Sequence, residues 1–186
     1  HTSNTYKFYN AQTQLGSPGT SRYIPHSQSF LVKVNTNSPA QSLSYQESFK
    51  SHEGIAFERT GEESNSFIAL QIERNGMLDE SILSFVTDAT ASYDNWDAFD
   101  LQSPNSDAVE LSLISEDNVS LALDSRPLNT DLSIPVYLDL PEAGSYTFRI
   151  AQIQNLPLGS CLFVEDLITG NSMYVQSGAE MTVSTN

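Results

Sequence analysis

The stretch FIALQIE, residues 67–73, carries apolar side chains on both sides of an extended chain. Successive side chains of a β-strand point to opposite faces of its sheet, so this pattern places an apolar row on each face. The two rows are Phe67 and Ala69 on one side, and Ile68, Leu70 and Ile72 on the other. A strand that is apolar on both faces is typical of the middle of a sheet. The stretch therefore predicts a central strand that is covered on both sides.

The rest of the chain repeats short β-type segments, separated by turn residues, about every ten residues. Hardly any segment has the 3.6-residue period of a helix. Candidate strands cover residues 29–34, 42–49, 54–59, 66–74, 81–86, 108–115, 119–123, 132–140, 144–152, 161–166 and 171–176. This spacing predicts an all-β fold, a two-sheet antiparallel β-sandwich of jelly-roll type, as a single domain over residues 1–186. The predicted core comprises Phe30, Val32, Ile68, Leu70, Ile72, Leu111, Leu113, Leu121, Tyr146, Phe148 and Val164.

The composition excludes several classes of function. The chain has 8 Lys and Arg against 23 Asp and Glu, a formal net charge of -15, so we expect no nucleic-acid partner. The single cysteine, Cys161, excludes an internal disulfide, and three histidines far apart in the sequence disfavour a zinc cluster. No apolar run is long enough to span a bilayer, and residues 1–10 lack the pattern of a signal peptide. We therefore expect no membrane insertion.

The segment ASYDNWDAFDLQSP, residues 91–104, combines three aspartates with large aromatic side chains, including the only tryptophan of the chain. They are Asp94, Asp97, Asp100, Tyr93 and Trp96. One interpretation is a tight turn, in which Asp and Asn side chains bond to their own backbone while the aromatic rings cover the edge of the sandwich. A calcium site and a sugar-binding face are the alternatives.

For calcium, the candidate ligands are Asp88, Asp94, Asn95 and Asp97. They lack the alternating acidic pattern, the glycine and the final glutamate of an EF-hand, so the site would be a loop of another kind. No cofactor is required by the sequence, and Ca²⁺ is the one candidate. For sugar binding, Tyr93, Trp96 and Tyr137 would have to form a flat platform.

No pattern in the chain specifies a catalytic nucleophile, because G-x-S-x-G, H-E-x-x-H and glycine-rich phosphate loops are all missing. The segment at residues 51–64 brings one histidine close to four glutamates in sequence, which can perform acid/base chemistry when buried in a pocket. These residues are His52, Glu53, Glu58, Glu62 and Glu63. We favour a polar hairpin over acid/base chemistry for this segment, and we predict that the protein is not an enzyme.

Four motifs occur in a recognisable order: IPHSQSFLVK at residues 24–33, DAFDL at 97–101, GSYT at 144–147 and VEDLITG at 164–170. Together they resemble the β-sandwich region that precedes the type IX secretion sorting domain in secreted and surface proteins of Bacteroidetes. This chain lacks that family's opening strand, similar to GWNLIGNPYPS, its closing strand, similar to RFVLHF, and the sorting domain. The resemblance therefore implies a fragment of a longer protein.

From the resemblance we expect a non-catalytic extracellular module that is secreted or attached to the cell surface. Its work would be structural spacing, adhesion or partner binding, with another protein or a cell-surface polysaccharide as the partner. The alternative is a carbohydrate-binding or accessory domain of a secreted hydrolase. A sandwich without its end strands leaves open edges, which either the termini, residues 1–10 and 179–186, or a strand donated by another chain would cover.

Overall fold

The structure is a computed structural model, and it describes residues 6–24, 29–31, 42–50, 65–128, 132–156 and 160–185. Within these ranges the chain is all-β, without an α-helix, and has one short 3₁₀ helix at Glu47–Phe49. The strands are β1 Tyr9–Asn10, β2 Leu15–Gly16, β3 Ser66–Arg74, β4 Met77–Phe85, β5 Ala98–Phe99, β6 Glu110–Ile114, β7 Ser120–Arg126, β8 Val136–Asp139, β9 Gly144–Gln154, β10 Phe163–Glu165, β11 Ser172–Tyr174 and β12 Glu180–Thr185. No helix in the described ranges is long and apolar enough to cross a membrane.

Eight strands form one curled sheet in the order β12-β9-β3-β4-β7-β6-β8, with β5 attached to β7. Two further sheets are the hairpins β1–β2 and β10–β11. The expected purely antiparallel pairing is wrong at one place, because β4 and β7 run parallel. A parallel pair requires a crossover between its strands, and here β5 and β6 lie in that crossover. The large sheet is therefore mixed.

The hairpin of β3 and β4 turns at Asn75 and Gly76, which have φ values of 52° and 81°. Positive φ at both central residues defines a type I′ turn, whose twist matches that of the flanking strands. Strand β4 begins at Met77, which pairs with Arg74, and so starts well before the predicted residue 81. The Asn-Gly pair is the local signal that sets this earlier start.

Strand β3 is covered on both faces, as its apolar pattern predicts. On one face, Ile68, Leu70 and Ile72 join a core cluster with β6 and β9 residues. On the other face, Phe67 and Ala69 pack with Leu15 from the β1–β2 hairpin and with Ile82 and Leu123. Eight predicted core residues are buried, and they are Ile68, Leu70, Ile72, Leu111, Leu113, Leu121, Tyr146 and Phe148.

Three other core predictions have different outcomes. The prediction that Phe30 is buried is wrong, because its side chain is 46% exposed. Its ring packs edge-on against that of Tyr45, with the centroids 6.1 Å apart. Val164 is only partly buried, although it packs against the larger core cluster. Val32 lies outside the described residues. An alternating pattern therefore predicts burial only where a neighbouring strand covers the apolar side.

The strand predictions fail in the same region. Residues 29–31 form no strand, and residues 42–49 form an irregular segment that ends in the 3₁₀ helix. The predicted strand at 54–59 lies outside the described residues. The C-terminal segment adds a strand to the sheet, because β12 pairs with β9 along its whole length, and β12 is then the outer strand on that side. At the other end, β1 pairs with β2 in a separate hairpin.

Candidate functional site

The connection between β4 and β5 lies against β7 through the Asp97 side chain. The Ser125 N–H donates to Asp97 Oδ1 at 2.7 Å, and the Asp94 N–H donates to Asp97 Oδ2 at 2.8 Å. The Ser125 hydroxyl donates to the Trp96 carbonyl at 2.9 Å. Asp97 is buried, and these bonds replace the hydrogen bonds that its carboxylate would otherwise make with water. A single side chain thus joins the turn to the middle of the large sheet.

The Asp94 side chain closes the turn from within. Its Oδ1 accepts the Trp96 N–H at 2.8 Å, and its Oδ2 accepts the Thr90 N–H at 2.8 Å. The amide of Asn10, from β1, donates to the Asp97 carbonyl at 2.9 Å. Side chains that accept neighbouring backbone N–H groups are the usual way in which Asp and Asn form turns. The geometry supports the turn interpretation of residues 91–104.

The four candidate calcium ligands do not form an open cluster of oxygens. Asp88 is exposed in the turn after β4, and Asn95 is exposed with its carbonyl accepting the Asn10 amide at 3.2 Å. Asp94 and Asp97 use both of their carboxylate oxygens for backbone hydrogen bonds. In the part of the chain that the structure describes, no group of three acidic, histidine or cysteine side chains is arranged to hold a metal ion.

The three candidate platform aromatics lie on different elements. Tyr93 stacks on Phe99, with the ring centroids 4.2 Å apart and the planes 31° from parallel. Trp96 is half-buried in the same loop. Tyr137 is half-exposed on β8, which β6 and β7 separate from β5 in the sheet. The structure therefore brings Tyr93 and Trp96 together and places Tyr137 on an outer strand.

A group of carboxylates lies where β4, β5 and β6 meet, and of its members only Asp100 was named from the sequence. Asp79 Oδ2 accepts the Leu111 N–H at 2.8 Å, and a Glu110 oxygen accepts the Ser103 N–H. Burial raises the pKa of Asp79 to about 6, helped by the Glu110 charge. Burial also raises the pKa of Asp100 to about 7, with the charges of Asp79 and Glu110 adding to the shift. These side chains repel one another when ionised.

A second feature missed from sequence is an ion pair inside β7. Asp124 and Arg126 are 1% and 3% exposed, and the Arg126 Nε lies 2.7 Å from Asp124 Oδ1. Arg126 Nη2 also donates to the Ile114 carbonyl at 3.1 Å. The sequence signal is an acidic and a basic residue two positions apart, hence on the same face of a strand that is otherwise apolar or small.

A shallow open cleft of about 390 Å³ lies between the Pro18–Gly19 turn and the large sheet. Gln71 and Glu80 line its sheet side, and the Gln71 amide donates to Glu80 at 2.7 Å. Arg149 Nε in turn donates to the Gln71 side-chain oxygen at 3.1 Å. These polar groups hold one another in place. The His52 and Glu53 candidates, with the other glutamates of residues 51–64, lie outside the described residues.

The β10–β11 hairpin carries four exposed large apolar side chains. Leu167 and Ile168 at its tip are 88% and 93% exposed. Phe163 and Tyr174 are directly opposite each other on the two strands and are also exposed. Contiguous exposed apolar groups of this kind mark contact surfaces more often than isolated ones do.

Asp166 fixes the conformation of this tip. Its Oδ1 accepts the Ile168 N–H at 2.9 Å, and its Oδ2 accepts the Thr169 hydroxyl at 2.6 Å. The Gly170 N–H donates to the Asp166 carbonyl at 2.7 Å, and Gly170 has the left-handed φ of 72° that glycine adopts readily. The hydrogen bond from Thr169 lowers the pKa of Asp166. The tip is therefore ordered by local bonds while its aliphatic side chains face solvent.

The described residues thus define an all-β domain with a curled eight-stranded sheet and an ordered, apolar hairpin tip. The chain belongs to the family described as Domain of unknown function (DUF8693), whose model matches residues 1–183. Comparison with curated proteins and with solved structures found no match.

The buried carboxyl groups predict that the domain is more stable in mild acid than at neutral pH. Burial raises the pKa values of Asp79 and Asp97 to about 6 and of Asp100 to about 7, from the usual 3.8. The folded state therefore binds protons more tightly than the unfolded chain between about pH 4 and about pH 7. We expect the melting temperature to rise as the pH falls from about 7 to about 4, which is the range between the raised pKa values of the folded state and the ordinary pKa of the unfolded chain.

Asp100→Asn should flatten this pH dependence and raise the free energy of unfolding at pH 7.5 by about 1 kcal/mol, allowing for solvent screening of a partly buried group. The matched control is Asp107→Asn, at an exposed position outside the carboxylate group. Urea titrations at a series of pH values measure both effects. A stability that rises steadily from pH 4 to pH 8 would contradict the prediction.

The hydrogen bonds of Asp94 and Asp97 also predict the response to calcium. Because backbone N–H groups already occupy their carboxylate oxygens, we expect Ca²⁺ and Na⁺ at equal ionic strength to shift the melting temperature equally. A ligand that binds only the folded state raises its stability by mass action, so a larger rise with Ca²⁺ would reveal a calcium site. If Asp94→Asn removed that extra rise, the site would be the predicted one.

Proposed function

We propose that this chain is a non-catalytic extracellular module of a secreted or cell-surface protein, and that it acts by binding a partner protein. The observation that carries the proposal is the ordered hairpin tip, with Leu167 and Ile168 almost fully exposed. An isolated domain gains nothing from holding two aliphatic side chains in water. A partner that buries them would gain their full transfer free energy, about 1.5 to 3 kcal/mol for each side chain.

The charge around the hairpin restricts the class of partner. Residues 150–186 contain Glu165, Asp166 and Glu180 and no Lys, Arg or His. Together with the net charge of -15, this acidity repels anionic polymers and favours a partner surface with basic groups around an apolar pocket. We therefore place a protein before an acidic polysaccharide as the partner.

Two further parts of the proposal concern architecture and location. We infer a sandwich-like arrangement, in which the β10–β11 hairpin forms a second layer on the large sheet, because Val164 and Met173 pack against the larger core cluster. The extracellular location and the type IX secretion route are supported by the resemblance of the four motifs at residues 24–33, 97–101, 144–147 and 164–170. The strongly acidic composition suits a protein that must stay soluble outside the cell.

The carbohydrate-binding alternative receives less support from the geometry. A sugar platform needs exposed, coplanar rings, whereas Tyr93 is stacked on Phe99 and Tyr137 lies on an outer strand. The cleft beside Gln71 and Glu80 has no aromatic side chain in its lining.

A photo-crosslinking amino acid at position 168 tests partner binding in the producing organism. We expect a discrete crosslinked protein on the cell surface or in the medium, because the tip is buried in the complex. The same crosslinking amino acid at exposed position 107 is the matched control. Adding Leu167→Ser to the protein with the crosslinking amino acid at position 168 should reduce the yield of crosslinked partner at least about tenfold, the effect of losing roughly 1.4 kcal/mol of binding free energy. Equal yields at positions 168 and 107 would contradict the proposal.

A further inference from the structure

The two outer strands of the large sheet differ in how well their edges are protected. Natural sheets block their edges with short strands, prolines and charges. Strand β8 is short, follows Pro135, ends at Asp139 and is closely followed by Pro141. Strand β12 is longer, contains no proline and has no charge after Glu180. Strand β12 pairs with β9 alone among the described strands, and none of them covers its other edge.

The hydrogen-bond alternation of an antiparallel pair shows which groups line this open edge. The Ile150 N–H donates to the Ala179 carbonyl at 2.9 Å, so residue 179 directs its backbone toward β9. Every second residue then does the same. The residues that face β9 are Met181, Val183 and Thr185. The residues whose N–H and C=O groups face outward are Glu180, Thr182 and Ser184.

We propose that this edge binds β12 of a second copy of the chain, antiparallel about a twofold axis, with Thr182 opposite Thr182 of the second copy. In that register, Glu180 lies opposite Ser184 of the second copy, and the reverse pair forms at the other end. All three outward-facing residues of each strand then form hydrogen-bonded pairs, which gives about six N–H···O bonds. A shift by one residue would place inward-facing groups in the ladder and lose these bonds.

The side chains of β12 fit the same register. Met181 lies opposite Val183 of the second copy, at a narrow pair where the Cα atoms are about 4.5 Å apart. Both side chains pack against the larger core cluster. In the dimer, the apolar layer on this face of the sheet therefore continues from one copy to the other across the twofold axis.

The one charge on this edge does not oppose the proposed register. Glu180 is the only charged residue of β12, and its carboxylate lies 3.9 Å from Arg149 of β9. Opposite it in the proposed ladder is the neutral Ser184 of the second copy, so no like charges face each other. The net charge of -15 still opposes association, and salt should therefore strengthen the dimer.

Sedimentation velocity measures this association on the isolated chain, from about 10 μM to about 1 mM, because an edge of this size supports only a weak dimer. Thr182→Pro removes an outward-facing N–H and leaves the pairing with β9 intact, since proline is tolerated where an edge N–H faces solvent. We expect it to weaken dimerisation at least about tenfold, the effect of about 1.4 kcal/mol. Thr182→Val, which keeps the N–H, is the control and should dimerise like the wild type.

Cysteine crosslinking tests the register and does not depend on the proline variant. In a Cys161→Ser background, Thr182→Cys should crosslink on oxidation, since opposed Cα atoms about 5.5 Å apart are within disulfide reach. Ser184→Cys should not, because its two copies would be about 14 Å apart along the ladder. A monomer over the whole concentration range, dimerisation unchanged by Thr182→Pro, or equal crosslinking at both positions would overturn the proposal. A monomer would leave this edge to a strand of another protein.

The inference does not rest on the proposed function, because the hairpin tip and the β12 edge are separate surfaces. Loss of crosslinking at position 168 with dimerisation intact would count against partner binding alone. Crosslinking at position 168 without any dimerisation would count against the dimer alone.

Discussion

Strand β7 pairs with three other strands, and an ion pair is buried within it. Asp124 and Arg126 lie on one side of the strand, and Arg126 also binds the carbonyl of Ile114 at the end of β6. On the other side, the Ser125 hydroxyl lies 2.7 Å from that of Ser84 in β4. Buried polar groups thus join β7 to β4, through Ser84 and Ser125, and to β6, through Arg126 and Ile114. These bonds between strands favour one register, because a shift of β7 would leave Ser125 and the Ile114 carbonyl without these partners.

The same strand explains why the loop at residues 91–104 is acidic. Asp97 binds the Ser125 N–H of β7, and Asp94 orders the turn that brings Asp97 into place. Burial raises the pKa of Asp97 to about 6, and the charges of Asp94 and Asp124 raise it further, while the N–H groups of Asp94 and Ser125 oppose the shift. Burial likewise raises the pKa of Asp124 although Arg126 is beside it. The domain therefore buries two aspartates here, Asp97 bound by backbone N–H groups and Asp124 paired with Arg126.

The parts of the fold that local patterns determine could be predicted from the sequence. Strand β3 matches its predicted bounds because both faces are apolar, and Asp94 with Asn95 indicated a turn. Pairings that depend on distant side chains could not be predicted: β1 and β5 are two residues long and are held through Asn10 and Asp97. The alternation at residues 29–34 predicted a strand, but the described residues 29–31 form none, and Phe30 packs on Tyr45 at the surface. At the candidate site, the predicted strands at residues 161–166 and 171–176 contain β10 and β11, but the pattern did not predict that Leu167 and Ile168 would face solvent.

The buried ion pair of Asp124 and Arg126, with the Arg126 bond to the Ile114 carbonyl, stabilises β7 against β6. Urea unfolding at pH 7 of Arg126→Met, and of the same change combined with Asp124→Leu, tests it most directly. Removing one partner of a buried pair costs about 3 to 5 kcal/mol, whereas replacing both with apolar groups of similar volume recovers most of that loss. We predict a large destabilisation for the single variant and a much smaller one for the double variant. A single variant within about 1 kcal/mol of the wild type, the range of an exposed ion pair, would contradict the account.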